Sequence, residues 1–170
     1  MSTNNLNPNL IEFLKKPEVK DAINVADFNK VYFLADNEGL YSLIGDLTRM
    51  FEYCGMLPLV LSKLTILPCY FLCNDTRKTF DIPDNIEGIS HAAFYGCKLS
   101  SIILKDNIQY VDNGAFERCY NLTNVTVTSK ATRISLFAFK FCDNVRMTCK
   151  QGSSADGIAQ ACNYPITYID

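Results

Sequence analysis

A short phrase that recurs three times in the second half of the chain constrains its fold more than any other feature. The phrase is Ala-Phe-x-x-Cys, at residues 93–97, 115–119 and 138–142, with intervals of 22 and then 23 residues. This period is too short for repeats that are built from pairs of helices. A unit of this size buries its apolar face only when a neighbour stacks on it, so the phrase predicts a solenoid of stacked coils.

Further columns of apolar residues keep the same register. One contains Phe80, Ile102, Val125 and Met147, the next contains Ile82, Leu104, Val127 and Cys149, and a third contains Ile89, Val111 and Ile134. The apolar-x-apolar alternation of the first two columns predicts a short strand in each unit with one buried face. Counting back places Phe71 and Ile66 in register, which predicts a degenerate first unit that starts near Thr65.

The repeat resembles the BspA-like (bacterial surface antigen A-like) leucine-rich repeats. The usual phrase of that family is Ile-Pro-x-x-Val-x-x-Ile-x-x-x-Ala-Phe-x-x-Cys-x-x-Leu-x-x-Ile, and the segment from Ile82 to Cys97 matches it closely. Residues 145–153 and 155–164 are similar to the last strand, Gly-Ser turn and closing helix of the family. The resemblance covers about residues 66–170 and implies a leucine-rich-repeat solenoid of about three and a half units. For function it implies binding or adhesion rather than one particular reaction.

Residues 1–65 do not contain the repeat and are predicted to be mostly helical. A first helix from Leu10 to Lys16 has Asn9 as its predicted cap, and Pro17 interrupts or restarts it. The stretch around residues 26–34 is ambiguous between helix and strand.

The clearest helix of this part is predicted from about Glu38 to Tyr53. Its apolar residues recur at steps of three and four, and Gly55 provides a stop. Pro58 then opens a short apolar helix over residues 59–64. Because the open end of a solenoid exposes an apolar cross-section that a differently built element must cover, we expect this helical part to act as a cap.

These patterns predict an α+β chain with two parts. The first is a helical N-terminal module over residues 1–65, and the second is a short leucine-rich-repeat solenoid over 66–170 that includes a helical C-terminal cap at 151–170. The helical leader, the phrase Gly55-Met56-Leu57-Pro58-Leu59 and the few repeats also resemble small proteins encoded by tailed bacteriophages. That resemblance implies a protein that works in the cytoplasm of an infected bacterium or in a virion.

Charge and hydropathy disfavour several kinds of partner. The net charge is −2, and the 16 basic residues are scattered among 18 acidic ones, so no basic stripe for nucleic acid is present. The most apolar window, residues 56–72, is interrupted by Pro58, Lys63 and Pro68, and it is shorter than a membrane helix. The polar, Asn-rich start of the sequence does not have the pattern of a secretory signal, so we expect a cytoplasmic location.

The cysteines and the single histidine do not form a catalytic or metal-binding motif. Cys97, Cys119 and Cys142 recur because one small side chain fits the same interior position in every coil. The pair Cys69-x-x-x-Cys73 supplies fewer ligands than zinc requires. His91 lies at a position that Asn113 and Leu136 occupy in the other coils, which indicates a surface turn rather than a general base. We therefore predict no cofactor, no metal and no enzymatic activity.

Aromatic residues in the repeat turns are the candidates for a protein-binding surface. Phe137 and Phe141 replace other residue types in the third copy of the phrase, and Tyr95, Tyr110 and Tyr120 could extend them into an aromatic strip. Ile103 is an apolar residue in an otherwise polar column of the strands. The alternative is that Phe137 and Phe141 pack under the C-terminal cap around Ile158 and Cys162.

The sequence therefore favours a module that binds another protein stoichiometrically. If the phage resemblance holds, the partner is a host or phage protein, bound for inhibition, recruitment or assembly. One alternative is a structural or virion component that forms homo-oligomers. The other is an adhesin, which the repeat family suggests and the missing signal sequence opposes.

Overall fold

The computed structural model describes residues 7–37, 39 and 41–170, and the chain divides into two compact units between Leu64 and Thr65. The described helices of the first unit are α1 (Pro8–Lys15), α2 (Pro17–Asn24), α3 (Phe28–Asn37), α4 (Tyr41–Tyr53) and α5 (Leu57–Lys63). None of the helices in the described ranges has the length and apolar character that a membrane span requires.

The first two helices are separated by a proline, as the sequence predicts. Pro17 occupies the first turn of α2, where its missing N–H is not needed. The predicted cap at Asn9 is wrong, because the Asn7 side chain accepts the Asn9 backbone N–H at 3.0 Å and the helix begins at Pro8. A proline at the first helical position favours the residue before it as the cap.

The stretch that was ambiguous between helix and strand belongs to a helix, α3. Phe28, Val31, Tyr32 and Ala35 recur at helical spacing and are buried. Glu38, the predicted start of the next helix, lies outside the described residues, and α4 is described from Tyr41. The Thr48 hydroxyl donates to the Ile44 carbonyl at 3.0 Å and accepts from the Tyr32 hydroxyl at 2.9 Å, so both buried hydroxyl groups are satisfied.

The last helix of this unit, α5, begins at Leu57 rather than at Leu59. Pro58 lies within its first turn, where proline is tolerated, so the helix starts before the proline instead of after it.

The second unit is a solenoid with two parallel sheets. The first sheet has the order β1 (Ile66–Leu67), β2 (Gly88–Ile89), β4 (Tyr110–Val111) and β6 (Arg133–Ile134). The second sheet has the order β3 (Ser101–Leu104), β5 (Asn124–Val127), β7 (Arg146–Cys149) and β8 (Ile166–Tyr168). Every neighbouring pair is parallel, as expected when equivalent strands of successive coils stack.

The strand register confirms the predicted columns where the strands pair, whereas no strand is described over Phe80 and Ile82, the first members of two columns. Ile89 pairs with Val111 and Val111 with Ile134 in the first sheet. In the second sheet Ile102 pairs with Val125 and Val125 with Met147. Between the two sheets lies the core, in which the Phe94, Phe116 and Phe139 rings stack with centroid distances of 4.9 and 5.2 Å.

The predicted register of the first coil is wrong by one residue. Leu67, not Ile66, pairs with Ile89. The Leu72 N–H donates to the carbonyl of Ala93, as the Phe94 N–H does to the carbonyl of Ala115, so Leu72 rather than Phe71 occupies the phenylalanine column. Leu67 is fully buried and Ile66 is 38% exposed, so these neighbouring residues lie on opposite faces of β1, as the alternation along a strand requires.

The C-terminal segment closes the last coil through helix α6 (Ser154–Ala161). The Ser154 hydroxyl accepts the Ile134 N–H at 3.0 Å and donates to the Ile134 carbonyl at 3.3 Å, which satisfies backbone groups at the β6 edge of the first sheet. The Tyr164 hydroxyl donates to the Phe139 carbonyl at 3.3 Å. These bonds give the last coil polar partners that a further coil would otherwise supply.

Candidate protein-binding surface

Each coil turns between its two strands at a residue with left-handed backbone. This column contains Asn74 (φ 56°), Gly96 (φ 68°), Arg118 (φ 60°) and Phe141 (φ 62°). The backbone N–H groups of Asn74, Gly96 and Arg118 donate to carbonyls of the next coil at 2.7, 2.8 and 3.0 Å. These bonds recur at Asn74, Gly96 and Arg118, and Phe141 in the last turn keeps the same left-handed backbone.

Two residues in this column are unusual for that conformation. Asparagine and glycine adopt it readily, as Asn74 and Gly96 do. For a bulky side chain such as that of Arg118 or Phe141, it costs on the order of 1–2 kcal/mol. The third and fourth coils therefore carry bulky side chains where the backbone favours small ones.

The Arg118 guanidinium lies between two aromatic rings. Its Cζ atom is 5.6 Å from the centroid of the Tyr95 ring and 5.7 Å from that of the Phe141 ring. The Lys140 ammonium is 5.0 Å from the centroid of the same Phe141 ring. These distances are within the range of cation–π attraction. Tyr70 extends the row, with its ring centroid 6.4 Å from that of Tyr95.

We call this row of side chains the aromatic–cationic strip. Its members are Tyr70, Tyr95, Arg118, Lys140 and Phe141. Phe141 is 48% exposed, and so is the Arg118 side chain. The strip is thus an ordered surface in which solvent can reach both a ring and a guanidinium.

The Cys column lies inside the coils, as the sequence predicts. The thiols of Cys97, Cys119 and Cys142 donate to carbonyls one coil earlier, those of Leu72, Phe94 and Phe116, at 2.6, 3.0 and 3.0 Å. Hydrogen bonds with the Cys142 and Cys97 thiols, together with burial, raise the pKa of the Cys119 thiol. All eight cysteines are free thiols, and this central one is held in its unreactive protonated form.

Only some of the predicted binding residues belong to the strip. Tyr95 and Phe141 do, and Phe137 and Tyr120 are 54% and 56% exposed in the same turns. The alternative in which the C-terminal cap buries Phe137 and Phe141 is wrong, because both side chains are about half exposed while Ile158 of α6 is buried.

Tyr110 and Ile103 lie elsewhere on the solenoid. The Tyr110 ring covers Gly88 of the neighbouring strand, so a Cβ atom at Gly88 would overlap it. Burial, followed by the charge of Asp112, raises the pKa of Tyr110. Ile103 is 53% exposed in β3, between the buried Ile102 and Leu104, and therefore projects from the outer face of the second sheet. Neither residue extends the strip.

Arg118, Lys140 and Tyr70 were not predicted from the sequence as binding residues. Arg118 aligns with Gly96 and Phe141, but the left-handed backbone that makes a bulky residue unusual in this column is seen only in the structure. Tyr70 was not recognised as a binding residue because the predicted register of the first coil is wrong by one residue.

His91 lies in an exposed turn, where its ring meets the Tyr70 ring edge-on at a centroid distance of 6.0 Å. Within residues 7–37, 39 and 41–170, no group of three or more His, Cys, Asp or Glu side chains is arranged to hold a metal ion.

Comparison with known proteins gives one result. No curated protein and no solved structure matches the chain. A family model described as BspA type leucine rich repeat region, in 6 copies, matches residues 48–162. The match begins within α4, ahead of the first coil, and ends one residue beyond α6. Since it covers more than half of the sequence, this chain belongs to the BspA-type leucine-rich-repeat family.

Proposed function

We propose that this protein is a non-catalytic module that binds another protein through the aromatic–cationic strip. Leucine-rich repeats generally mediate protein–protein interaction and are generally not catalytic. The observation that carries the proposal is the placement of Arg118 and Phe141, two bulky and exposed side chains in a backbone conformation that favours asparagine or glycine.

Backbone strain of this kind supports a functional role for the two side chains. Residues in sparsely populated conformations persist where the surroundings impose them, and they cluster at binding and active sites. Stability alone would favour Asn or Gly at both positions, as in the two preceding coils. Tyrosine and arginine are also the residues most enriched among the strongest contacts of protein interfaces.

For the partner we propose a bacterial or phage protein, bound in the cytoplasm so that it is inhibited, recruited or assembled. The arrangement of a helical leader and a few repeats, which resembles that of small phage proteins, supports this choice. The adhesin alternative requires export of the protein to a cell surface.

A structural, self-assembling component is the second candidate, and one observation favours it. Strand β8 lies at the edge of the second sheet, and Thr167 and Tyr168 are exposed there. An open strand edge can pair with a strand from another chain. Assemblies whose size grows with protein concentration in light scattering would support this candidate.

The proposed function is tested by affinity capture of the tagged protein from bacterial lysate, followed by calorimetry with the purified partner. The test variant is Arg118→Asn/Phe141→Asn, which keeps a residue that tolerates left-handed backbone at both positions. The matched control is Ile103→Asn, which removes an exposed apolar side chain from the outer face of the second sheet. We expect the partner to bind the wild type and the control but not the test variant. Equal binding to all three proteins would exclude the strip as the contact surface.

A further inference from the structure

We infer that the strip recognises a carboxylate that stands next to an apolar side chain, in an acidic and apolar segment of the partner protein. This inference rests on the proposed function and adds the chemistry of the ligand. Three features of the strip support it: an available guanidinium, a second cation at the same ring, and the apolar surfaces on either side.

The guanidinium of Arg118 is positioned before any ligand arrives. The two rings that flank it come from Tyr95 in the preceding coil and Phe141 in the following one. Contact with aromatic rings suits the planar guanidinium, and a carboxylate can accept hydrogen bonds from two of its N–H groups. Because the side chain is already ordered, binding loses less conformational entropy than it would with a free arginine.

The donors of Arg118 are not fully used within the protein. Its only carboxylate neighbour among the described residues is Glu117, at 3.9 Å from Nε to Oε1. This separation is about 1 Å longer than a charge-assisted hydrogen bond. Arg77 provides the contrast, since its Nε and Nη2 atoms donate to the two oxygens of Asp75 at 2.6 and 3.0 Å. Arg118 therefore retains donors for an external carboxylate.

Lys140 adds a second positive charge at the Phe141 ring. Its Nζ atom forms no ion pair within the described part of the chain, although Asp143 is only three residues away in the sequence. Two cations at one ring repel each other, and an anion between them would remove that repulsion. The strip is thus complementary to a negative group, even though the net charge of the chain is −2.

The aromatic rings favour a ligand that has an apolar group beside its carboxylate. Within the strip Phe141 is about half exposed and Tyr95 is partly buried, and Phe137 is a further half-exposed ring in the same turn as Phe141. Contact with these surfaces contributes binding energy only when the ligand also buries apolar area. Inorganic phosphate lacks such area, and a nucleic acid would meet a chain without a basic stripe. A glutamate or aspartate beside an aromatic or aliphatic residue supplies both parts.

The experiment selects ligands without assuming their sequence. A display library of random short peptides is selected on the full-length protein, and Kd values for an enriched peptide are measured by fluorescence anisotropy. We expect enrichment of Asp or Glu next to an apolar residue. We also expect about a tenfold loss of affinity both in the Arg118→Asn/Lys140→Gln variant and when the peptide carboxylate is replaced by an amide. The matched control, Arg133→Gln, removes an exposed cation of strand β6 outside the strip and should leave the Kd unchanged.

Other outcomes separate the inference from the proposed function. Peptides without an acidic excess that lose affinity in Phe137→Ser/Phe141→Asn, but not in Arg118→Asn/Lys140→Gln, would overturn the inference and leave the strip as a binding surface. Displacement of the peptide by equimolar inorganic phosphate would overturn it as well, since the apolar part would then be irrelevant. Failure to select any peptide, or equal affinity for every variant, would contradict the inference and the proposed function together.

Discussion

At the scale of single residues, the left-handed column contains some residues that suit its backbone and others that we propose are kept for binding. Asn74 and Gly96 adopt its backbone at little cost, whereas Arg118 and Phe141 adopt the same backbone with bulky side chains. The buried phenylalanine column shows the opposite relation, because its side chains are fully enclosed and stack on each other. The two columns should therefore respond differently to substitution.

Phe141→Asn should leave the free energy of unfolding within about 1 kcal/mol of the wild type. Relief of left-handed strain is worth about 1–2 kcal/mol, and it offsets the loss of a ring that is 48% exposed. Urea denaturation followed by circular dichroism measures the change. The control is Gly96→Ala, which should destabilise the protein because its φ is +68° and the new Cβ would overlap the Asn74 side chain. A large loss in Phe141→Asn would mean that Phe141 is kept for packing.

Phe116→Ala should lower the free energy of unfolding by about 3–5 kcal/mol. The Phe116 ring lies between those of Phe94 and Phe139 and is fully buried, so its removal leaves a cavity in the middle of the stack. Phe137→Ala is the matched control, since it removes an exposed ring and should change stability by about 0.5 kcal/mol or less. A wild-type melting temperature for Phe116→Ala would contradict the assignment of this column to the core.

At the scale of elements, the register of a strand could be predicted from the sequence where only one register buries its apolar residues. Strands β5 and β7 alternate polar and apolar residues, and β3 keeps the same pattern except at the exposed Ile103, which fixes their register. In the first coil Ile66 and Leu67 are both apolar, as are Phe71 and Leu72, so the pattern allows either register. Strand pairing selects Leu67 and a backbone hydrogen bond selects Leu72, and neither can be read from composition.

The left-handed turns were equally hidden from sequence reasoning. Nothing in the local residues around Arg118 or Phe141 indicates a positive φ, since bulky side chains argue against it. For Arg118, the positive φ accompanies a backbone hydrogen bond to the next coil that Asn74 and Gly96 make in the same way. The candidate site could thus be predicted as a set of aromatic residues, but not as a strip organised by Arg118.

The C-terminal helix should make the stability of the protein depend on pH. The Asp156 carboxylate is buried in α6 and accepts the Gly152 N–H at 2.7 Å, the Gln160 amide at 2.8 Å and the Tyr168 hydroxyl at 3.0 Å. The Gly152 bond, followed by the Gln160 bond, lowers the pKa of Asp156 below its ordinary value. The ionised form therefore stabilises the folded state above the unfolded pKa of about 4, and this contribution is lost as the pH falls through the folded pKa.

We expect Asp156→Asn to melt at a lower temperature than the wild type at pH near 7, because an amide accepts these bonds more weakly than a carboxylate. The difference between the two melting curves should begin to shrink below the ordinary aspartate pKa of about 4 and should vanish as the pH falls through the lowered pKa of folded Asp156. Melting temperature against pH at constant ionic strength measures this, with the exposed Asp143→Asn as the control. A constant difference between wild type and Asp156→Asn at every pH would contradict the role of the charge.

At the scale of the whole molecule, the proposed binding surface exists only because successive coils of the solenoid stack on each other. Tyr95, Arg118 and Phe141 belong to three successive coils, so no single coil contains the strip. Stability in such a fold is close to a sum of coil terms and nearest-neighbour terms. It follows that a protein without one whole coil can still fold but lacks the aromatic–cationic strip.

Deletion of residues 98–119 tests this separation. The deletion removes 22 residues, one repeat period, and joins Cys97 to Tyr120, so Cys97 takes the place of Cys119 in its column. We expect a folded protein with a smaller urea m-value, because less surface is exposed on unfolding, and with no affinity for a ligand of the strip, because Arg118 is gone. Deletion of residues 98–117 is the control, since it puts the columns out of register by two residues and should prevent folding of the solenoid. If the in-register deletion failed to fold, the coils would not be the independent stacking units that the repeat predicts; if it folded and kept the ligand, the strip would not be the binding surface.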